Sequence, residues 1–371
     1  MVNVAFTGGG TGGHIYPGLA LASRLKEERG YRVFWIGSAS GMDRSIVEEA
    51  GLEFYGIPAG KLRRNFSPKN ASDLFRVLAG FFAARRILRR ERPALLFSKG
   101  GFVSVPPCAA AFSLGITVFT HESDYSPGLA TRINTRFAAR GRGRIITAYP
   151  ETAERFPPGI RERVLALGNP VRPGFKNANP CQGRIFLEAG EGDRILLVLG
   201  GSQGALELNR LVEAALEELT KLYLVIHQTG PSSGDIPAAP RYRPYCYINR
   251  ELPGVLAAAE LVLCRSGAGT IWECAAAGKP MILVPLAGSG TRGDQLENAR
   301  FFERAGAALV LPPGGRGAAE LLCAVRTLAE DGERRLAMAA SSRRIGEADC
   351  GGLILRALLD ALDRNENGGK P

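Results

Sequence analysis

Short apolar runs recur along the chain, each broken by a turn of small or polar residues and most followed by a stretch of helical periodicity. In the first half they fall at Val2–Phe6, Arg32–Ile36, Phe54–Ile57, Ala94–Phe97, Thr117–Thr120 and Ile145–Ala148. The last is expected to close that half, ahead of Phe156-Pro157-Pro158. Gly18–Arg29 places Leu19, Ala22 and Leu25 on one helical face, and Met42–Ala50 reads as a second helix. The rhythm returns with strands at 195–199, 223–227, 245–248, 261–263 and 281–285, and with helices from Leu206, over Leu252–Ala258, over Ile271–Ala277, up to Ala305 and over Leu353–Leu362. Repeated βα units with short links predict an α/β protein built on open, mostly parallel sheets. With 371 residues the chain is long for one core, so two similar domains are expected. Gly168-Asn169-Pro170-Val171-Arg172-Pro173 reads as the hinge, which puts the domains at 1–167 and 168–349. A terminal helix at about 350–363 follows, and the charged tail Asp363–Pro371 is expected to be disordered.

The turns carry the candidate chemistry. Gly8-Gly9-Gly10-Thr11-Gly12-Gly13-His14 follows the first strand and feeds a helix, the geometry of a phosphate cradle. It lacks the G-x-G-x-x-G spacing, no acidic residue closes the next strand, and no Gly-Lys-Ser/Thr ending is present, so dinucleotide and P-loop readings fall away. Lys99-Gly100-Gly101-Phe102-Val103-Ser104 and His121-Glu122-Ser123-Asp124 follow later strands, and Gly200-Gly201-Ser202-Gln203-Gly204-Ala205 opens the second half. The most telling stretch is Cys264–Pro280. There Ser266–Thr270 form a small-residue turn, with Thr270 the expected N-cap and Glu273 expected on the first helical turn. Free amides and a positive helix end suit a diphosphate, while the carboxylate can accept from vicinal hydroxyls. That pairing points to a nucleotide sugar diphosphate. His14 is the candidate general base, with His121-Glu122 as the competing pair, and His227 ends an apolar strand as a core residue or one near the base of a nucleotide, not a catalytic one.

Composition narrows the partners. Residues 1–170 hold 24 Lys+Arg against 13 Asp+Glu, so the whole formal charge of +11 lies in the first half. This asymmetry implies an anionic partner on one domain, nucleic acid or an anionic membrane surface. Over Asp73–Arg92, Leu74, Leu78, Phe81, Phe82 and Leu88 form a stripe that ends among Arg85, Arg86, Arg89 and Arg90. It reads either as a helix packed on the sheet or as one lying on a membrane. No run approaches the ~18 apolar residues of a spanning helix. The N-terminus reads as a strand and not as a signal peptide. Seven scattered cysteines, none in C-x-x-C, read as reduced core thiols of a cytosolic protein.

In order, G-G-G-T-G-G-H-I-Y-P-G-L-A, K-G-G-F-V-S-V-P, H-E, G-N-P-V-R, G-G-S-Q-G-A-x-x-L-N and C-R-S-G-A-G-T-I-W-E-C-A-A-A-G-K-P-M-I-L-V-P resemble the MurG family over roughly Val2 to Ala308. These are the UDP-N-acetylglucosamine transferases acting on lipid-linked muramoyl-pentapeptide. The resemblance implies two Rossmann-like domains facing across a cleft, the GT-B architecture, with the last helix crossing back to the N-terminal domain. It implies UDP-GlcNAc as donor, undecaprenyl-diphospho-muramoyl-pentapeptide as acceptor, no nucleic-acid partner, and a peripheral place on the cytoplasmic face of the inner membrane. Donor contacts would fall on Thr11, Gly12, Gly13, Arg172, Ser202, Ile248, Ala268, Gly269, Thr270, Ile271, Trp272, Glu273 and Gln295. Glu273 would hold the ribose, the Ile248 backbone the uracil edge, Ser202 the diphosphate and Gln295 the sugar. Asp124 stands where the family usually has Asn, and a carboxylate does not donate. Arg265 or Arg172 would support the leaving UDP. No D-x-D is present in a donor loop, so neither a metal nor another cofactor is implied. Two other classes share these features: a UDP-sugar 2-epimerase, which needs further acids, and a non-enzymatic nucleotide-binding membrane scaffold, which does not need His14.

Overall fold

The computed structural model describes residues 2–60, 69–201, 204–231, 239–286, 293–313 and 317–366. Its contacts divide into two units, Met1–Pro170 with Asp349–Pro371, and Val171–Ala348. In the first, β1 (Asn3–Thr7), α1 (Gly12–Arg29), β2 (Arg32–Ser38), α2 (Asp43–Glu49), β3 (Glu53–Ile57), α3 (Lys69–Glu91), β4 (Leu95–Ser98), α4 (Val105–Ser113), β5 (Thr117–Glu122), α5 (Leu129–Ala138), β6 (Arg144–Thr147), α6 (Pro158–Arg161) and β7 (Val164–Ala166) follow in order. In the second come α7 (Pro180–Phe186), β8 (Ile195–Leu199), α8 (Leu206–Leu222), β9 (Leu224–Gln228), β10 (Tyr242–Tyr245), α9 (Leu252–Ala258), β11 (Leu261–Cys264), α10 (Ala268–Ala276), β12 (Met281–Leu283), α11 (Asp294–Arg304), β13 (Ala308–Val310), α12 (Ala318–Glu330) and α13 (Gly332–Gly346). The chain ends with α14 (Cys350–Glu366).

Both sheets are parallel throughout, ordered β3-β2-β1-β4-β5-β6-β7 and β10-β9-β8-β11-β12-β13. Each therefore reverses its direction of growth once, between β1 and β4 in the first and between β8 and β11 in the second. Buried strands explain the continuous apolar runs, because both faces of a parallel sheet are covered. In β1, Val4 and Phe6 join one core cluster and Ala5 the cluster on the opposite face. The first of these clusters also takes Ile354, Leu355, Leu358 and Leu362 of α14, so the C-terminal helix belongs to the N-terminal unit. An ion pair of 2.8 Å from Arg24 to Asp349 ties down its start.

Several boundaries differ from expectation. β7 makes 145–148 the penultimate strand of its unit; a half-exposed three-residue edge strand is too short to register as an apolar run. α1 begins at Gly12, which puts His14 in its first turn instead of at a loop tip. Pro17 lies inside this helix, where it has no N–H to give to the carbonyl of Gly13. Tyr245 pairs with Gln228 at the end of β10, which leaves Ile248 in the loop beyond it. α14 runs on to Glu366, and 367–371 lie outside the described residues. The α3 stripe divides: Leu88 is buried, whereas Leu74, Phe75, Leu78 and Phe82 are exposed, Phe75 by 74%. Cys108, Cys264, Cys274 and Cys350 are core thiols, but Cys181, Cys246 and Cys323 are exposed. Leu358→Ala, which empties a fully buried site of α14, is expected to cost about 2–5 kcal/mol in denaturant unfolding of the whole chain.

Candidate active site

In the first unit the glycine turns sit where the sheet reverses. Gly10, at φ +86°, donates its N–H to Asp43 Oδ1 at 3.0 Å. The other oxygen of Asp43 accepts from Ser38 N–H, also at 3.0 Å, and the residue is 1% exposed. Trp35 Nε1 donates to Gly8 O at 3.0 Å. The loop after β1 is thus stretched over two buried anchors on β2 and α2. The turn after β4 interlocks with it: a Cβ on Gly101, at φ +79°, would stand 2.6 Å from Gly9 O and 3.1 Å from His14 Cδ2. His14 therefore lies on the second glycine turn. Thr11 is the N-cap of α1, and it and Gly13 are exposed while Gly12 is buried.

The competing pair is committed elsewhere. Glu122 accepts the N–H groups of Asp124 and Gly128, both at 3.0 Å, and so shapes the entry to α5. Burial, reinforced by the nearby Asp124 charge, raises its carboxyl above the ordinary range. His121 is fully buried and uses both ring nitrogens, one toward Lys99 Nζ and one toward Gly168 O, each at 3.0 Å. Burial first, then the Lys99 charge, holds it well below its usual value and so neutral. Asp124 is half-buried on the loop beyond.

In the second unit α10 starts three residues earlier than expected, capped by Gly267 and with Thr270 inside its first turn. Ile271 N–H reaches back to Gly267 O at 3.2 Å, so the N–H groups of Ala268, Gly269 and Thr270 are the ones without an intrahelical acceptor. Glu273 then falls on the second turn. Arg172 grips it in a two-pronged bond, Nε at 2.6 Å and Nη2 at 3.1 Å, with the guanidinium 4.9 Å from the Phe175 ring. Burial raises the Glu273 carboxyl and Arg172 opposes that shift. The two residues expected to hold different parts of a donor are thus bound to each other. The side chains of Ile271 and Trp272 are core, the indole edge-on to Phe302 at 6.0 Å, which leaves only their backbone for any ligand.

Other expected contacts are braces in this geometry. Ile248 N–H donates to Gln228 Oε1 at 3.0 Å, while Gln228 Nε2 reaches Gly201 O at 3.3 Å. One amide side chain thereby joins the glycine turn after β8 to the loop after β10. Arg265 is 6% exposed and spans Glu207 Oε2 at 2.6 Å and the carbonyls of Val284 and Pro285 at 3.2 Å. It locks the start of α8 to the segment after β12 and does not project toward solvent. Gln295 Oε1 accepts from Leu286 N–H at 3.0 Å, and Asn298 Nδ2 donates to Ser266 O at 3.2 Å. Ser202 lies outside the described residues. His227 is the expected core histidine, bonded to Tyr242 and Asn209 and brought down to about 4 by burial.

Residues 4–141 match the glycosyltransferase family 28 N-terminal domain and residues 195–350 its C-terminal domain. A Treponema denticola protein named UDP-N-acetylglucosamine--N-acetylmuramyl-(pentapeptide) pyrophosphoryl-undecaprenol N-acetylglucosamine transferase is 50% identical over 329 residues, 83% of each chain. The chain belongs to glycosyltransferase family 28. A second relative of that name, from Lachnospira eligens, is 40% identical over 89% of this chain and 92% of its own. Among solved structures, Acinetobacter baumannii MurG superposes with a TM-score of 0.74 at 25% identity, covering 97% of this chain and all of that one. Two parallel-sheet Rossmann-like domains are the family's fold, and both are present here.

Within this family 28 chain, Asp43, Lys99 and Gln228 hold the glycine turns; the sequence marks Lys99 only as the head of a glycine motif and gives no sign of the other two. Asp43 stands five residues beyond the end of β2, too far to read as an acidic residue closing that strand. Gln228 closes an apolar run without marking a motif. Asp43→Ala strips two backbone N–H groups of a charged acceptor. At about 1.5–3 kcal/mol for a bond to a charged group, the expected loss of unfolding free energy is of that order or somewhat more. Asp43→Asn, which places an amide donor against one of those N–H groups, is expected to recover little of it.

Proposed function

We propose that this transferase moves N-acetylglucosamine from UDP-GlcNAc to the C4 hydroxyl of undecaprenyl-diphospho-muramoyl-pentapeptide, with inversion. The observation that carries the reading is the position of the anion-ready N–H groups of α10 and of Glu273, beside the reversal between β8 and β11, within a chain half identical to named transferases of this reaction. The acceptor oxygen attacks the anomeric carbon, the C1–O bond to UDP breaks, and the hydroxyl proton passes to a base. Charge appears on the departing diphosphate, and the fixed amides of Ala268, Gly269 and Thr270 suit it because they need no reorganisation. Glu273, with Arg172 holding its carboxylate in one orientation, reads the ribose hydroxyls. The carbonyl of Ile248 remains for the uracil edge, its N–H being engaged by Gln228. His14 on the interlocked glycine turns is the base, since His121 and Glu122 are committed to structure.

The N-terminal domain is the acceptor and membrane side in this reading. Leu74, Phe75, Leu78 and Phe82 share the outer face of α3, which runs on into exposed Arg86 and Arg89. Apolar side chains beside arginines suit acyl chains beneath anionic head groups. Among the described residues no helix is long and apolar enough to cross a membrane. Peripheral attachment to the cytoplasmic face of the inner membrane follows from this reading.

With UDP-GlcNAc and the lipid-linked acceptor, the expected result is UDP release and a disaccharide-bearing lipid. Conversion of UDP-GlcNAc without acceptor would instead identify a 2-epimerase, and binding without turnover a scaffold. Glu273→Ala is expected to raise the donor KM by roughly 10- to 100-fold, the worth of a bond to a charged group. For the membrane face, Phe75→Ser with Phe82→Ser is expected to abolish binding to anionic vesicles in sedimentation. Raising the salt should weaken binding of the unaltered protein.

A further inference from the structure

Lys99 has no part in the mechanism above, yet it stands at the reversal of the first sheet. It directly follows β4 and is 1% exposed, a position a lysine rarely occupies unless partnered. Its Nζ lies 3.0 Å from His121 Nδ1 and bonds Ser123 Oγ as well. Gly168 O, 3.0 Å from His121 Nε2, can only accept. Nε2 therefore carries the ring proton, and Nδ1 is the lone pair that receives the Lys99 N–H. Ser123 Oγ in turn donates to Asn169 Oδ1 at 3.1 Å. Every bond in this buried network runs outward from Lys99 and ties the turn after β4 to the end of β5 and to Gly168-Asn169. The same turn supports His14: a Cβ on Gly100 would be 3.8 Å from His14 Cε1, and one on Gly101 3.1 Å from His14 Cδ2. The Lys99 Cβ itself lies 3.1 Å from where a Cβ on Gly8 would fall.

We propose that Lys99 is a positioning residue for the transfer reaction: by donating to His121 and Ser123 it holds the Gly100-Gly101 turn where that turn sets His14 against the acceptor hydroxyl. The proposal rests on the reading of His14 as the base. The ionisable groups around Lys99 are Glu122 and Asp124, whose charges favour the ammonium, with His121 beside it and His14 on the adjoining turn. Burial outweighs those carboxylates and brings the amine down to about 8. Since the folded value lies below the ordinary 10.5, the ammonium destabilises the fold below about pH 8, and this cost is relieved as pH rises. The charge-assisted donation, by contrast, weakens as pH rises through that value.

The test is Lys99→Met in the full chain. It is expected to lower kcat by roughly 10- to 100-fold while the donor KM changes by no more than about twofold, since a 1 Å misplacement can cost that much. It is also expected to flatten the alkaline limb of the kcat profile near pH 8 and to change Tm little, because removal of the buried charge offsets the loss of a donor to His121 and Ser123. Unchanged kcat overturns the proposal. So does a loss of kcat that comes with a lower Tm and an unaltered pH profile. His14→Ala separates the two readings and is expected to lower kcat by ~10²–10⁴. If it is silent, the His14 reading fails and takes this proposal with it; if it is slow and Lys99→Met is silent, only the Lys99 proposal fails. In the double variant, Lys99→Met should add nothing to His14→Ala, and additive losses overturn the route through His14. Should Lys99→Met not fold, imidazole 15N spectra of the unaltered protein, with its three histidines, decide. His121 is expected as the Nε2–H tautomer, and an Nδ1–H tautomer overturns the network.

Discussion

Each sheet reverses its order once, and the rest of each domain depends on that reversal. Neighbouring parallel strands at such a point send their following segments to opposite faces of the sheet, so the turns part and leave backbone N–H groups facing an opening. Between β1 and β4 this opening is bordered by the two glycine turns and His14; between β8 and β11 it is bordered by Gly200, Gly201 and Gly204 and the start of α10. Glycine is required where the turns meet, as at Gly101, because a side chain there would collide with the carbonyl of Gly9.

Charged residues near those openings are buried or half-buried, and burial forces them to find partners. Asp43 and Glu122 satisfy backbone N–H groups, Arg265 joins three segments, Lys99 feeds a network, and Arg172 closes on Glu273. Most of the ionic groups at the site thus act as braces. In the proposed reading, reaction chemistry is left to backbone amides, to Glu273 and to His14. Such a division suits a transfer whose main demand is a fixed field around a departing diphosphate.

The uneven charge follows the same division of labour. The N-terminal half carries all of the net positive charge, and its α3 carries an exposed apolar face that leads into arginines. The other half is neutral overall and holds the donor-type helix start. In the proposed reading, only the side that meets a lipid-linked, anionic acceptor needs a long-range positive field.

By itself the sequence determined the βα alternation, the two sheets, the glycine turns and the family, because continuous apolar runs and turn chemistry are local properties. It left His14 ahead of the first helix by starting that helix at Gly18, after Pro17, and missed β7 because a three-residue edge strand leaves little apolar signal. Only the tertiary structure decided which polar residues face one another. Arg172 and Glu273 are 101 residues apart, Lys99 and His121 are 22, and Gly10 and Asp43 are 33. Nothing in local patterning marks a carboxylate as brace or ligand, since that depends on what strand order brings beside it. The same holds for His14, whose surroundings are set by a turn that arrives from β4 through the pairing of two strands distant in the chain.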